Sequence, residues 1–430
     1  MSLAVAIHAG AVIELDIEKA AAGGRMLARH EGQVVLVWGA IPGERVRARI
    51  ERAGRGVLYA ETTEVVSASP DRRDAAMDWR CGGTVFAHIN YPRQLALKGE
   101  IIQDALGRIG HVPLPAPPPV IASPERGYRM RARLHARDGR IGFFREGTHD
   151  VCDVASTGQL GSATGDWIAA AQGLLKRERG LAGLEIAENV PGNQRAIHLD
   201  LHEGADAVPF ARLTAIAPLT GLSAQRADRQ TADRLAGEPF VTDTLKVSSD
   251  SAATLTLRRD VRAFFQGNRF LIERLVHHVT SLVPPEPVVD LYAGVGLFGL
   301  SLAAAGADRV TLVEGDPISG ADLQVNAEPF RPRARVEHRS VETFLKSTTP
   351  PARATFMVDP PRTGISKEAL AGIIRHQPAR IVYVSCDVAT LARDTRMLLN
   401  GGYELADLSG FDLFPNTAHV ESVAVFTREG

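Results

Sequence analysis

Two side chains near the C-terminal end have the types needed for covalent chemistry. Cys386 lies in IVYVSCDVATLARD, behind an apolar run that predicts a buried strand and before a polar turn into a helix. A single cysteine usually fills core space, but a helix N-terminus lowers the pKa of a thiol and favours a nucleophile. Glu421 begins the predicted final strand in FPNTAHVESVAVF, close to His419. Together, Cys386 and Glu421 could supply a thiolate and a carboxylate base at one rim of a sheet.

A glycine-rich turn predicts a cofactor that contains adenosine. VVDLYAGVGLFGLSLA runs from a strand through a turn into a helix, and Gly294, Gly296 and Gly299 satisfy G-x-G-x-x-G. Glu314 lies 20 residues beyond Gly294, at the end of the next strand, where an acid can bind ribose hydroxyls. NAD fits this spacing, but Asp290 just before the turn favours S-adenosylmethionine. We therefore expect cofactor contacts at Gly294 and Glu314.

The motif FMVDPPRTGI ends a later predicted strand in Asp359 and two prolines. The prolines fix the backbone, so that Asp359 is held at the carboxyl edge of the sheet, where doubly wound folds bind ligands. Taken alone, Pro-Pro simply terminates a strand. Methyltransferases of exocyclic amines have an aromatic residue where this chain has Arg362, which argues against methylation of a base nitrogen.

A methyl donor, a thiolate and a carboxylate together predict methylation at C5 of uracil. This carbon is too weak a nucleophile to take a methyl group unaided. Addition of a thiolate at C6 gives an enolate whose C5 attacks the sulfonium methyl, after which a base removes the C5 proton and the thiol leaves. Cys386 is the predicted nucleophile and Glu421 the predicted base.

Three regions are predicted to position these residues. Short alternating apolar runs broken by Gly and Pro predict a β-barrel within residues 1–66. A mixed central region, 67–245, contains an amphipathic helix at 91–110 that we expect to pack on the catalytic region. From 246 to 430, strands alternate with helices, as in a doubly wound parallel sheet. The predicted fold class is α/β, a Rossmann-like sheet with an N-terminal barrel and a central mixed domain.

The central region contains a cationic strand. In YRMRARLH, Arg129, Arg131 and Arg133 alternate with apolar residues, so that one strand face is cationic. Seven arginines lie between residues 126 and 145, against three acids from 125 to 146. Such a face is either a solvated edge or a surface that contacts phosphates.

Composition restricts the function classes. The 430 residues have a net charge of −1, so any basic surface for nucleic acid must be local. The segment MSLAVAIHAGAVIELD lacks a basic region and no apolar run reaches about 18 residues, so we expect a cytoplasmic protein without a membrane span. We expect a monomer. Three unevenly spaced cysteines predict no disulfide framework.

These motifs resemble the RNA uracil-C5 methyltransferases, which make 5-methyluridine in tRNA or ribosomal RNA. IPGERVRARI resembles a TRAM domain, an OB-like barrel, and YRMRARLH with GRIGFFREG is similar to the central domain of the family. FFQGN, DLYAGVG, DPPRTG, YVSCD and FPNTAHVE resemble its catalytic motifs in order and spacing. The resemblance implies RNA as partner and S-adenosylmethionine as cofactor. The cofactor contacts that it implies are Gln266, Tyr292, Glu314 and Asp359.

The chain departs from the family at an iron-sulfur site. Many members carry C-x5-C-x2-C and a distant fourth cysteine. Here only Cys81 remains, with Ala75 and Thr84 at the other two spacings and Thr157 at the expected fourth position. One or two thiolates do not hold a cubane cluster, so we predict no cluster and no metal, and interpret Cys81 and Cys152 as packing or vestigial residues.

Two alternative functions remain open. A noncatalytic RNA-binding or assembly factor is compatible with Leu297, where the glycine loop of the family often has Asn, but the intact Cys386 and Glu421 argue against it. An NAD-dependent oxidoreductase offers no role for these two residues. The TRAM-like barrel resembles the ribosomal branch of the family, which favours ribosomal RNA over tRNA.

Overall fold

The computed structural model describes residues 8–75, 77–248, 253–351 and 353–428, so the first seven residues of the predicted N-terminal segment lie outside it. These stretches form a closed barrel and sheets of seven, two and eight strands. No helix within them is long and apolar enough to cross a membrane.

The N-terminal barrel is built from five strands. They are β1 (Val12–Ala20), β2 (Met26–His30), β3 (Gln33–Trp38), β4 (Arg45–Gly54) and β5 (Val57–Ser67). In β4, Val46, Ala48 and Ile50 are buried, while the arginines between them face solvent. This period of two is what a barrel wall requires. The predicted β-barrel is confirmed.

A helix and a short strand follow the barrel. They are α1 (Tyr91–Ala105) and β6 (Val120–Ile121). Leu97 and Ile101 of α1 lie in the barrel core, whereas Ile102 packs with Ala392 and Val420 of the C-terminal region. β6 forms one edge of the eight-stranded sheet. Residues between the barrel and the central sheet thus complete the C-terminal region.

The central region is a seven-stranded sheet with one helix on its apolar face. Its elements are β7 (Arg131–Arg137), β8 (Arg140–Phe144), β9 (Val151–Asp153), α2 (Val154–Thr157), α3 (Ser162–Leu175), β10 (Leu181–Glu188), β11 (Arg195–Leu201), β12 (Gly221–Arg226) and β13 (Asp233–Gly237). The strand order is β13-β12-β11-β10-β7-β8-β9. Trp167 and Ile168 of α3 share one core with Leu134 of β7. β7 therefore turns its apolar residues towards α3 and its arginines away from it.

A hairpin crosses the predicted boundary at residue 246. It consists of β14 (Phe240–Lys246) and β15 (Thr254–Asp260). Across these strands Arg259 donates to Asp243 at 2.8 Å, and both side chains are fully buried. Cross-strand pairing and this ion pair join the two sides of the boundary. The division into 1–66, 67–245 and 246–430 stays a prediction.

The C-terminal region is a doubly wound sheet. Its elements are α4 (Ile272–Ser281), β16 (Val288–Leu291), α5 (Leu297–Ala304), β17 (Val310–Glu314), α6 (Pro317–Ala327), β18 (Ala334–His338), α7 (Val341–Ser347), β19 (Thr355–Val358), α8 (Lys367–His376), β20 (Arg380–Ser385), α9 (Val388–Asn400), β21 (Glu404–Phe411) and β22 (Glu421–Thr427). The order is β18-β17-β16-β19-β20-β22-β21-β6, with β22 antiparallel to both neighbours. Ligands bind at the carboxyl ends of such parallel strands, so the predicted α/β fold class is confirmed and the site is located at this edge.

Candidate active site

Cys386 and Glu421 meet at the end of one antiparallel strand pair. β20 and β22 pair until Ser385 lies opposite Ser422. The next residue outward is Cys386, directly after β20, and Glu421, the first residue of β22, so the thiol and the carboxylate lie just beyond the last Ser385–Ser422 pair. Glu421 is 2% exposed and Cys386 is half-buried. The structure thus brings together the two residues predicted to do the chemistry.

The turn after Cys386 begins α9. The Oδ1 atom of Asp387 accepts hydrogen bonds from the backbone N–H groups of Ala389 and Thr390, at 3.0 and 2.8 Å. Asp387 is therefore the N-cap, and its carboxylate accepts from N–H groups that have no partner within the helix. This cap fixes the backbone beside Cys386.

The expected lowering of the thiol pKa by the helix is wrong. Burial first, and then the negative charges of Glu421 and Asp359, raise the pKa of Cys386 to about 12, while Arg362 acts in the opposite direction. The helix terminus does not offset these effects, because the Asp387 carboxylate already neutralises it. Cys386 is a neutral thiol at neutral pH and must lose its proton during the reaction.

Glu421 is an enclosed acid with an available oxygen. Its Oε1 atom is buried and has no hydrogen-bond partner among the described residues. Burial and the charge of Asp359 raise the pKa of Glu421 well above its usual value, and Arg362 lowers it. A buried carboxylate with a raised pKa and an unpaired oxygen is suited to taking a proton from a substrate.

Asp359 and Gln266 are in direct contact. Gln266 Nε2 donates to Asp359 Oδ2 at 3.2 Å, and Gln266 is 4% exposed. Burial raises the pKa of Asp359 to about 7, although the hydrogen bond from Gln266 acts to lower it. Two of the residues predicted to contact the cofactor therefore form one polar pair beside Glu421, whose pKa responds to the charge of Asp359.

The glycine turn after β16 has the backbone that its sequence demands. Tyr292, Gly294 and Gly296 have φ values of 62°, 57° and 100°, in the left-handed region. Gly299 comes close to Asp290, whose Oδ2 accepts from the Gly299 N–H at 2.9 Å and would lie 2.7 Å from a Cβ at that position. Only glycine permits this approach. Asp290 thus holds the turn in place rather than facing a ligand.

The turn and the following strand fit S-adenosylmethionine. Glu314 Oε2 accepts from the Gly294 N–H at 2.7 Å and Oε1 from the Asp316 N–H at 2.6 Å. Each carboxylate oxygen keeps a second lone pair, so Glu314 can still accept from ribose hydroxyls. The space in front of Gly294 is open, with no atom within 4 Å of a Cβ built there. An acceptor and an open turn lie together where an adenosine group is expected.

The three predicted RNA-binding arginines do not form one free cationic face. Arg131 pairs with Glu185 at 2.8 Å and Arg133 with Asp200 at 3.0 Å. Arg129 lies before β7 and makes isolated bridges instead of continuing the strand. Because the acids come from β10 and β11, their positions could not be inferred from the local sequence.

Arg129 lines a cleft between the barrel, the central sheet and the C-terminal region. Its guanidinium donates to Gln159 Oε1 at 2.7 Å and lies 5.1 Å from the ring of Phe143 and 5.8 Å from that of Phe414. No carboxylate pairs with it among the described residues. The cleft has a volume of about 140 Å³, and its wall includes Gly23, Arg362 and His419 as well.

Sequence analysis missed the role of Asn416, which lies between the cleft residues Phe414 and Thr417 in the chain. Asn416 has φ = 64°, and its Oδ1 accepts from Arg73 and Gln94, each at 2.9 Å. These hydrogen bonds hold the FPNTAHVE segment against the start of α1. The Pro-Asn dipeptide is a turn signal that could have indicated a left-handed residue at this position.

The interpretation of Cys81 and Cys152 as unpaired residues is corrected. The structure joins them in a disulfide with a Cα–Cα distance of 5.9 Å, inside the core of the central region. The expectation failed because pairing depends on the fold and not on spacing. Among the described residues, no three His, Cys, Asp or Glu side chains are grouped to hold a metal ion. The absence of a cluster stays a prediction.

The fold and the site define a class I methyltransferase with an N-terminal RNA-binding barrel, and comparisons with known proteins give its family. The TRAM domain matches residues 8–63, and the tRNA (Uracil-5-)-methyltransferase family matches residues 339–429. The chain is 33% identical to the 23S rRNA (uracil(1939)-C(5))-methyltransferase of Methylococcus capsulatus, over 97% of each chain. It is 31% identical to the protein of the same description in Pseudomonas putida, over 96% of this chain and 93% of that one.

A solved structure agrees in fold. The Pyrococcus abyssi tRNA (uracil-54, C5)-methyltransferase in complex with S-adenosyl-L-homocysteine matches with a TM-score of 0.75 and 24% identity, over 96% of this chain and 99% of that one. The chain belongs to the RNA uracil-C5 methyltransferase family and is an S-adenosylmethionine-dependent enzyme. The resemblance inferred from the motifs is confirmed, and the cofactor is S-adenosylmethionine, not NAD.

Proposed function

We propose that this enzyme methylates C5 of one uridine in 23S ribosomal RNA, with Cys386 as nucleophile and Glu421 as base. The observation that carries the catalytic part is the register of β20 and β22, which sets the thiol beside a buried carboxylate with an unpaired oxygen. The support for ribosomal RNA comes from relatives that match along nearly their whole length and are described as acting on uracil 1939 of 23S rRNA.

Cys386 starts the reaction. Its Sγ atom bonds to C6 of uracil while the thiol proton passes to solvent, and the ring electrons move towards C5. We propose that Arg362 stabilises the negative charge that develops, because its positive charge lies close enough to lower the pKa values of Cys386 and Glu421. C5 then takes the methyl group.

Glu421 completes the reaction. Its Oε1 atom removes the proton from C5, the C5–C6 double bond forms again, and the C6–Sγ bond breaks to release the Cys386 thiolate. When bound, S-adenosylmethionine would supply the methyl group as an electrophile and would leave as S-adenosylhomocysteine. We propose that Gly294, Glu314 and the Gln266–Asp359 pair hold it.

The barrel and the cleft are proposed to bind the RNA backbone around a uridine turned out of its loop. Arg129 is the predicted arginine that best fits this role, because no acid within the described part of the chain forms an ion pair with it. We also propose that the enzyme acts as a monomer in the cytoplasm. Light scattering during size-exclusion chromatography tests the oligomeric state, and a dimer mass would contradict this part.

The test is transfer of labelled methyl from S-adenosylmethionine to 23S rRNA isolated from a strain that lacks the enzyme, followed by nucleoside analysis and mapping. We expect 5-methyluridine at one site with the wild type and none with Cys386→Ala, while both bind the cofactor. Product in tRNA alone would overturn the choice of RNA. Product from Cys386→Ala would overturn the mechanism, and a wild type that binds cofactor without transfer would indicate a noncatalytic RNA-binding factor.

A further inference from the structure

A second groove lies at the far end of β7 from the cleft. Its volume is about 560 Å³, and it is formed by the turn between β7 and β8, the C-terminal end of α3 and His202. The seven residues of β7 place it about 20 Å from Arg131 at a rise of about 3.3 Å per residue. We call it the distal groove. Its cationic wall consists of Arg137, Arg140, Lys176 and Arg179.

These cations are mostly free of acids. Glu178 in the wall pairs with Arg212 at 2.7 Å instead, and Asp138 lies 3.8 Å from Arg137. Among the described residues, no carboxylate lies within ion-pair distance of Arg140, Lys176 or Arg179. All three are exposed. The groove therefore presents uncompensated positive charge.

Several other exposed arginines along strands are ion-paired, unlike Arg140 of the groove. In the barrel, Arg45 pairs with Asp16 at 2.8 Å and Arg47 pairs with Glu64 at 2.8 Å. Arg133, between the cleft and the distal groove, pairs with Asp200. The chain has a net charge of −1, so it has enough acids to neutralise its surface arginines. At the distal groove, among the described residues, acids do not neutralise Arg140, Lys176 or Arg179.

Apolar residues also line the groove. They are Ala136 and Ile141 of the hairpin, with Leu175 and Leu181. A lining of unpaired cations together with apolar residues fits a polyanion that also carries sugars and flat rings, which describes a nucleic-acid strand. β7 leads from Arg129 in the cleft to this groove, so one RNA could contact both.

We propose that the distal groove binds the phosphate backbone of a second segment of the RNA substrate, several nucleotides from the target uridine. The inference rests on the proposed function, because it assumes that an RNA longer than the target loop is the substrate. The groove adds affinity for that RNA and takes no part in the methyl transfer.

The test compares two RNAs and two variants. Arg140→Gln/Lys176→Gln/Arg179→Gln is assayed on a long 23S rRNA fragment and on a short oligonucleotide that holds only the target loop. On the long RNA we expect KM to rise by about tenfold or more, kcat to stay unchanged, and the slope of log affinity against log salt to fall by about 2. On the short RNA both constants stay as in the wild type.

A matched variant controls for total charge. Arg234→Gln/Arg331→Gln/Arg335→Gln removes the same charge from exposed arginines that are ion-paired with Glu238, Glu328 and Glu337. It should leave KM on the long RNA unchanged. If the triple variant folds poorly, the single variants Arg140→Gln and Lys176→Gln test the groove instead. Each should show part of the change in the salt slope.

Three results would overturn the proposal. One is an unchanged KM and an unchanged salt slope on long RNA free of protein. The groove would then not bind RNA, even if the variant failed to bind an acidic protein. Another is an equal loss on the short RNA, and the third is an equal loss in the control variant. If the wild type methylates neither RNA, the proposed function is contradicted instead. Filter binding then tests the groove, by comparing the affinity of the wild type and the triple variant for the long RNA.

Discussion

At the scale of single residues, the charge state of Cys386 and Glu421 sets the pH dependence of the reaction. Their pKa values are raised, so the deprotonated forms that attack C6 and accept the C5 proton become more populated as pH increases. We expect kcat/KM to rise between about pH 6 and about pH 9. A flat or falling profile measured by methyl transfer would contradict this assignment.

Arg362→Gln is the matched variant for that profile. Arg362 lowers the pKa values of both Cys386 and Glu421, so its loss should move the rise of kcat/KM to higher pH. If the variant changed only KM and left the pH dependence of kcat/KM unchanged, Arg362 would be a residue that contacts RNA and does not act on the two pKa values.

Glu421→Gln should separate the two halves of the reaction. The amide cannot take the C5 proton, so the methylated uridine stays bonded to Cys386. We expect a covalent protein–RNA adduct that survives denaturing electrophoresis. Cys386→Ala/Glu421→Gln is the control and should form no adduct, whereas rapid turnover by Glu421→Gln would place the base elsewhere.

Arg129 and Arg133 should differ in their effect on RNA binding. Arg129 has no carboxylate partner among the described residues, while Asp200 already neutralises Arg133. We expect Arg129→Gln to weaken binding several-fold and to lower the salt slope by about 1, and Arg133→Gln to have a smaller effect. Equal effects of the two variants on affinity and slope would show that the ion pair with Asp200 does not matter.

At the scale of elements, an ion pair joins α1 to the residue that follows β21, at the edge of the sheet where the site lies. Lys98 Nζ lies 2.5 Å from Asp412 Oδ1, and both side chains are fully buried. Lys98→Met leaves Asp412 charged and unpaired, so we expect a loss of about 3–5 kcal/mol in the free energy of unfolding. Lys98→Met/Asp412→Leu removes both charges and should restore part of that loss in denaturant unfolding. No recovery would mean that packing, and not the unpaired charge, accounts for the effect.

The elements also show what could and could not be predicted from the sequence. The barrel and the doubly wound sheet were predictable because burial follows a local period, as in β4. The nearness of Cys386 to Glu421 was predictable because strand ends share one sheet edge. The acid partners of Arg131 and Arg133 and the bond between Cys81 and Cys152 were not, because they depend on which distant strands become neighbours.

At the scale of the whole molecule, buried acids of the site should make stability depend on pH. The pKa values of Asp290, Asp359 and Glu421 are raised, for each of them mainly by burial. Between the unfolded pKa and the folded pKa, the folded chain binds more protons than the unfolded one, so stability falls as pH rises through this interval. We expect a lower Tm at about pH 8 than at about pH 6, with a smaller drop in Asp290→Asn. If Tm fell equally in Asp290→Asn, Asp290 would not contribute to the pH dependence of stability.

The edge strand β6 has a consequence for the order in which the protein is made. Tyr91–Ala105 and Val120–Ile121 leave the ribosome long before β21, the strand that β6 must join. During synthesis β6 stays without its partner strand β21 while the residues of the central sheet are translated. The C-terminal sheet is completed only when β21 pairs with β6, a strand translated well before it, so closure of this sheet edge couples two segments that are far apart in the chain.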